Sequence, residues 1–456
     1  MSQPISPGKG NILFIICLSS SLVPFMGSAL NLALPYINKS LSLDVVVSGW
    51  IPTAYMLSTA IFQVPCARMA DMIGRRKVFI WGVVVFTLFS FLSGFAGSGV
   101  ELIGYRFLSG VGSAMMFGTG MAILTSSIPP QKRGKAFGIN TAVVYASLAA
   151  GPLLGGLLTQ YLNWRSIFFV AGGIGLVVIA GALLMMKEEW KEEAGAKFDK
   201  RGALLYMAGL FALIYGFSRL PSLVSFILVG AGALILFYFA RYEQSHASPV
   251  FNMRIFLSNR VFRLSSLSAL INYSATFAVS FMLSLYLQDV RGLSPGNAGF
   301  VLISQSVVMA VVSLISGRLS DKMSATLLAT SGMGIIALGL IGLCFITEVT
   351  SLYLIVFLLM LLGFGFGMFS SPNTHVIMSS VDKSHYSMAS ATTGTMRLTG
   401  QAFSMGIALM AISLQLGNVQ LSTAVHPQLL SGMRIVFGIC FVLCLVGVYM
   451  SSVREK

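Results

Sequence analysis

Two arginines stand inside long apolar runs: Arg106, a few residues into 102–127, and Arg397, about a third of the way into 389–414. A guanidinium at membrane depth costs about 3 kcal/mol or more unless it reaches water or a partner, so a charge kept there is functional by default. For Arg106 the bland alternative is that it merely reaches the outer interface. The fourteen carboxylates all fall in loops or at the ends of apolar runs, and so do His246, His375, His385 and His426. The intramembrane charges are therefore both positive. They would receive an anionic, zwitterionic or neutral amphipath, or relay charge, and a lipophilic cation would find no counter-ion beside them. Aromatic and hydroxyl contacts alone could still hold a greasy cation. Proton-coupled chemistry needs a buried group whose pKa moves with conformation. No mid-run residue qualifies, so coupling would fall to a helix-end group such as Asp71, His375 or Asp289, or to the substrate's own titration.

A second cluster, Asp71, Gly74, Arg75 and Arg76, joins the apolar runs 46–66 and 78–97. Gly74 permits a tight turn. Asp71 can meet the partial positive charge of a helix N-terminus or a basic side chain, and three consecutive cations keep such a loop cytoplasmic. Enzyme chemistry has no foothold. There is no His-rich box, no Gly-x-Ser-x-Gly and no acidic pair within a run, so neither a catalytic constellation nor a metal or cofactor site is expected. The five cysteines lack metal-ligand spacing and read as packed small residues.

The elements that must position these residues follow from composition. Of 456 residues 56% are hydrophobic and 9% charged, with mean hydropathy +0.86. A soluble domain carries about 25% charged residues, so this is a polytopic membrane protein. Fourteen apolar runs, from 12–37 to 432–452, are each long enough to cross about 30 Å of hydrocarbon. With that assignment, five of the 29 Lys and Arg fall in outer loops, two lie within spans, and 22 fall inside. The bias places both termini in the cytoplasm and explains the net charge of +15. Nucleic acid is not an expected partner. Six spans precede a charged segment, Lys187 to Arg201, expected to be a solvated surface. Two spans and a second polar loop follow, then six more spans. Gly317-Arg318-Leu319-Ser320-Asp321-Lys322 echoes the first loop about 250 residues on.

Four motifs carry a family resemblance. Ala67-Arg68-Met69-Ala70-Asp71-Met72-Ile73-Gly74-Arg75-Arg76 resembles the loop between spans two and three of the major facilitator superfamily, with Ala67 where its first glycine stands and Met72 where arginine is common. Arg106-x-x-x-Gly110-x-Gly112 resembles its span-four pattern. Gly151-Pro152-x-x-Gly155-Gly156 is similar to the span-five motif of its exporters and antiporters. Asn31, Ala33, Leu34 and Pro35 match the first span of the fourteen-span drug:proton antiporter branch, but Met26 replaces that branch's aspartate.

The resemblance implies an all-α integral membrane fold: two six-helix halves (1–187 and 246–456) plus a charged linker and two extra central spans (188–245). It implies a secondary carrier exporting amphipathic small molecules across the inner membrane by alternating access. The alternative is an exporter or facilitator of an anionic or zwitterionic amphipath with no buried coupling acid. Expected partners are the bilayer, the substrate and protons as coupling ion, in a monomer. Substrate binding or charge relay is expected of Arg106, Arg397, Asn31, Tyr55, Gln63, Tyr145, Asn272, Tyr273, Gln305 and Gln401, with Thr53 and Asn140 also facing the cavity. Gating is expected of Asp71, Gly74, Arg75, Arg76 and Asp321, with Gly151, Pro152, Gly155 and Gly156 as a pivot.

Overall fold

The computed structural model of the chain describes every residue outside 1–6, 192–197, 221, 247–248, 252, 321, 382–385, 417–425 and 455–456. The described residues form α1 (Pro7–Leu41), α2 (Val45–Ile73), α3 (Arg75–Phe95), α4 (Gly99–Ser127), α5 (Pro130–Tyr161), α6 (Arg165–Met185), α7 (Lys200–Ser218) and α8 (Leu223–Ser245). They continue with a short α9 (Met253–Ser258), then α10 (Arg260–Leu285), α11 (Pro295–Leu319), α12 (Ala325–Leu343), α13 (Leu352–Ser379), α14 (Tyr386–Leu416) and α15 (His426–Ser452). The last turn of α10 widens into a π-turn over Tyr286–Val290.

Among the described residues thirteen helices are long and apolar enough to cross a membrane. α2 matches them in length at 29 residues, its hydropathy thinned by Gly49, Trp50, Thr53, Tyr55, Ser58 and Thr59. With α2, the described residues carry the fourteen membrane-length helices expected, in an all-α fold. Helix starts obey local chemistry: the side chains of Asp44, Ser98, Ser222, Asn259, Ser294 and Ser324 each accept a first-turn N–H of the helix that follows.

Helices α1–α6 pack on one another, with α1 against α5 and α4 against α2 and α3. In the later set α13 lies against α11 and α12, and α10 against α14 and α15. Two seams join the sets, α5 on α11 and α2 on α14, while the α7–α8 hairpin lies against α2 and α14. Small residues make these approaches close, as lipid tails give no hydrophobic drive for helices to associate. A Cβ on Gly112 of α4 would lie 2.5 Å from Phe86 N and 2.6 Å from Gly82 O of α3. The outer face of α8 exposes Phe226, Ile227, Leu234 and Phe237, as a lipid-facing helix should. The end of the bundle holding the α2–α3 turn and the chain's last helical turn is here the terminal end, and the opposite end the far end.

The segment after α6 departs from the expected solvated surface. Glu189 and Trp190 are half-buried: Glu189 Oε1 accepts the N–H of Arg76 at 2.9 Å, and the Trp190 carbonyl accepts that of Arg75 at 2.9 Å. The cause lies in the first turn of α3. Gly74 offers it no capping side chain, so its free N–H groups and positive helix end draw in a carboxylate from elsewhere.

Two glycines test the packing. Gly112→Ala must push α3 and α4 apart and should lower the melting midpoint of the purified protein, by an amount matching about 1–3 kcal/mol of overpacking. Gly438→Ala on α15 meets nothing within 4 Å and should leave the midpoint unchanged or raise it. Equal midpoints for both variants would contradict the α3–α4 contact.

Candidate functional site

The two arginines lie in different settings. Arg106 on α4 is 1% exposed, so it does not reach outward to the interface. Its guanidinium carbon sits 4.1 Å from the Tyr55 ring centre and 5.9 Å from that of Phe168. Neither Nε nor Nη1 has a hydrogen-bond partner. Stacking on a desolvated ring returns about 2 kcal/mol, less than the several kcal/mol that burying a cation costs; an arginine keeps its proton all the same, and among the described residues no carboxylate pairs with it. Tyr55 is fixed beneath it by donating to Ser113 Oγ at 2.7 Å. Gly110 lets α2 close on α4, for a side chain there would strike the Tyr55 carbonyl and Ser58.

Arg397 on α14 is half-buried and reaches across to α4, 5.2 Å above the Phe117 ring. Its charge and that of Arg106 both bear on the Tyr55 hydroxyl. Beside it Tyr145 of α5 and Ser370 of α13 share a hydrogen bond of 3.0 Å. Tyr273 of α10 also reaches Ser370 and packs edge-on against Phe366 at 5.5 Å. A cleft lined by Ser19, Ser20, Phe117, Met121 and Asn140 opens beside this group. The centre thus combines aromatic faces, hydroxyls, an amide and two cations, drawn from both helix sets.

The other predicted binding residues are spread more widely. Gln63 of α2 abuts Gly394 of α14, its Nε2 2.5 Å from where a Cβ would sit. Asn272 is fully buried with both amide atoms unpartnered. Gln305 and Gln401 are half-buried, and the Gln305 backbone carbonyl lies against Gly363. Thr53 donates to the Gly49 carbonyl of its own helix. The Asn31 backbone carbonyl accepts from Ser284 Oγ at 2.8 Å, and its side-chain Oδ1 is buried with no hydrogen-bond partner.

The far end is sealed by bonds between the sets. Gln288 Nε2 donates to the Leu32 carbonyl at 3.1 Å, and the Gly296 N–H to Gln160 Oε1 at 3.0 Å. Gly156 meets the Pro295 carbonyl, and a Cβ on Gly299 would lie 2.5 Å from the Pro152 carbonyl. Gly151 and Gly155 face α1 instead, with Ala29 Cα 2.6 Å from a Cβ on Gly155. Pro152 sits within α5, so its neighbours form a smooth face on both sides of the helix.

At the terminal end Asp71 Oδ1 accepts from Arg75 Nε at 2.7 Å and pairs with Nη2 at 2.7 Å. Arg75 Nη1 donates to Ser126 Oγ of α4 at 2.8 Å, and Arg76 Nε donates to the Met186 carbonyl that ends α6. Gly74 holds φ +126°, a backbone state that a residue with a Cβ resists. The turn therefore ties α2, α3, α4 and α6 together. The later set is tied at this end by Arg454, 1% exposed, which donates to Asn373 Oδ1 at 2.6 Å, Ser265 Oγ at 3.2 Å and Thr326 Oγ1 at 3.3 Å. Asp321 lies outside the described residues.

A family profile described as Major Facilitator Superfamily matches residues 16–405. The chain belongs to that superfamily. It is therefore a multi-pass membrane transporter and not an enzyme. It is 28% identical to the riboflavin transporter RibZ of Clostridioides difficile over 88% of each chain. It is 30% identical to the multidrug resistance protein Stp of Mycobacterium tuberculosis over 88% of this chain and 74% of that one. To the cephamycin export protein CmcT of Amycolatopsis lactamdurans it is 31% identical, over 87% and 84%. A bacterial homologue of the human lysosomal transporter Spinster, solved in an inward-facing, unoccupied conformation, shares the fold at TM-score 0.72 and 18% identity, over 99% of this chain and 98% of that one.

Within this superfamily chain, sequence reading did not find Phe117, Ser370, Gln160, Ser284, Gln288, Gly299 or Arg454. A local signal existed for some. Ser370-Ser371-Pro372 interrupts the apolar run of α13 with small polar residues and a proline, and Gly296 and Gly299 stand one turn apart at the start of α11. Arg454 offered none, as a terminal basic residue usually reads as a solvated charge.

Gly156→Val should force the far end open, because its side chain must displace the Pro295 carbonyl. Spin labels at positions 36 and 292 should show a longer distance population than in the parent. An unchanged distribution would remove the α5–α11 contact from the gate. Asp71→Asn should slow transport severalfold while the purified protein elutes as the parent does; unchanged rates would leave the turn a topology element alone.

Proposed function

We propose that the chain is a secondary carrier that exports amphipathic small molecules across the inner membrane by alternating access, with its terminal end in the cytoplasm. The observation that carries the substrate reading is the centre between the helix sets. It holds Arg397 over Phe117, Arg106 over Tyr55, and the Tyr145–Ser370–Tyr273 group. Such a surface receives an amphipath with an apolar body and an anionic or zwitterionic polar end. Met26, fully buried in α1, stands where the antiporter branch has its acid, and the cavity reading therefore favours anions over lipophilic cations.

Export is the direction supported by the Gly-Pro motif of α5 and by relatives named for drug resistance and antibiotic export. Asn31, Ser284, Gln288 and Gln160 form the outer gate in this reading, the Gly151–Gly156 stretch its pivot, and the α2–α3 turn the inner latch. The two halves are 1–187 and 246–456, with the α7–α8 hairpin between them. The 22-to-5 distribution of basic residues supports cytoplasmic termini. A second reading, facilitated movement without proton coupling, is favoured by the lack of a carboxylate beside either arginine.

Inside-out vesicles energised acid inside, with an amphipathic fluorescent anion and a lipophilic cation as probes, test the proposal. The anion should accumulate above a vector control, and Arg397→Gln should cut its initial rate about tenfold, the worth of one charge-assisted hydrogen bond. Cation accumulation without anion accumulation would overturn the substrate reading. Anion uptake untouched by a protonophore would select the facilitated reading over coupled export.

A further inference from the structure

The cavity lacks an acid, yet two carboxylates are buried elsewhere. Asp199 caps the start of α7 and is 7% exposed; Glu243, in the last turn of α8, is 2% exposed. They come from opposite ends of the hairpin's sequence and meet over Gly202. Glu243 Oε1 and Asp199 Oδ2 both lie against the point where a Cβ on Gly202 would stand, and neither oxygen has a hydrogen-bond partner. Gly202 keeps this space open.

The remaining oxygens are well supplied. Asp199 Oδ1 accepts the Gly202 N–H at 2.9 Å and the Tyr242 hydroxyl at 3.2 Å, and His246 Nε2 stands 3.6 Å from Oδ2. Glu243 Oε2 accepts the Phe251 N–H at 3.1 Å. Two buried carboxylates facing each other cannot both stay ionised without a compensating charge. Asp199 has two donors on Oδ1 and His246 beside Oδ2, while Glu243 draws on backbone N–H groups of Val250 and Phe251. One proton placed on Glu243 Oε1 and donated to Asp199 Oδ2 satisfies both unpartnered oxygens and removes the like-charge contact.

We propose that Asp199 and Glu243 form a buried proton-binding site at the terminal end of the α7–α8 hairpin, with Glu243 carrying the proton and Asp199 accepting its hydrogen bond. Half-exposed His246 is the route to solvent, its side chain 35% accessible. The charged and titratable groups around the pair, among the described residues, are Arg68 from α2, Arg201 from α7, Tyr242 and His246 from the end of α8, and Arg254 from α9. From α14 the group turned toward α7 is uncharged, Thr395 beside Tyr206.

Arg68 gives the site a link to conformation. Its charge acts on Glu243, and it rides on α2, the helix whose seam with α14 joins the two sets. Tyr206 of α7, whose ring lies tilted against Phe239 of α8 with centres 5.6 Å apart, donates to the Ala60 carbonyl of that same α2. Movement of α2 that brings Arg68 nearer releases the proton, and movement away lets it bind. By linkage, proton occupancy biases α2 in return. This proposal stands apart from the substrate reading and concerns proton binding alone.

Infrared difference spectra of the purified chain in lipid, titrated in sodium-free buffer, provide the test. The parent should show a protonated-carboxyl C=O stretch that disappears as pH rises. Glu243→Gln should lack it, Asp199→Asn should shift its frequency, and Arg68→Gln should move its titration to higher pH because a nearby cation is gone. Absence of a titrating C=O band in the parent, or the same band in Glu243→Gln, would overturn the proposal. So would displacement of the band by sodium at constant pH, which would make the pair a cation site. Proton binding is read without transport, so a failed anion assay leaves this result standing and the reverse holds equally.

Discussion

The molecule depends on how closely two backbones can approach where no hydrophobic force drives them together. In lipid the gain comes from dispersion and from hydrogen bonds, and both need short distances. The α5–α11 seam meets that need with Gly156 against the Pro295 carbonyl, Gly299 against the Pro152 carbonyl, and Gln160 capping the Gly296 N–H. Pro152, which offers no N–H, leaves the Leu148 carbonyl without its helical donor, while its own carbonyl lies against Gly299.

Charge follows a similar economy. The centre keeps cations held by rings, and the acids that could neutralise them lie at the bundle's periphery. Arg106 has Tyr55 and Phe168 for company and two donors without acceptors. Asp71 is engaged by Arg75, and Glu189 by the first turn of α3. Asp199 and Glu243 are engaged with each other's surroundings on the hairpin. These acids lie at helix ends, where their charge meets N–H groups or a guanidinium.

The two helix sets are tied at the terminal end by different chemistry in comparable places. In the first set Arg75 and Arg76, at the start of α3, reach α2, α4 and the end of α6. In the last set the arginine comes from the other partner: Arg454, after α15, reaches α10, α12 and α13. Each arrangement uses a guanidinium, whose several donors in a fixed fork can bridge three elements at once.

Composition and hydropathy by themselves determined that the chain is helical and membrane-embedded, with fourteen membrane-length runs, because an apolar run of about 20 residues has one way to satisfy its backbone in lipid. Motif spacing marked Arg106, the α2–α3 turn and the glycines of α5, since each is a local exception to that rule. Tertiary structure alone decided which residues meet. Arg397 lies over Phe117 some 280 positions earlier, the Asn31 carbonyl meets Ser284 of α10, and Glu189 caps the first turn of α3. The pairing of Asp199 with Glu243, invisible as two loop acids 44 positions apart, exists only because the hairpin closes over Gly202. Hydropathy records what each residue costs to bury; which partner repays that cost is a property of the packed helices.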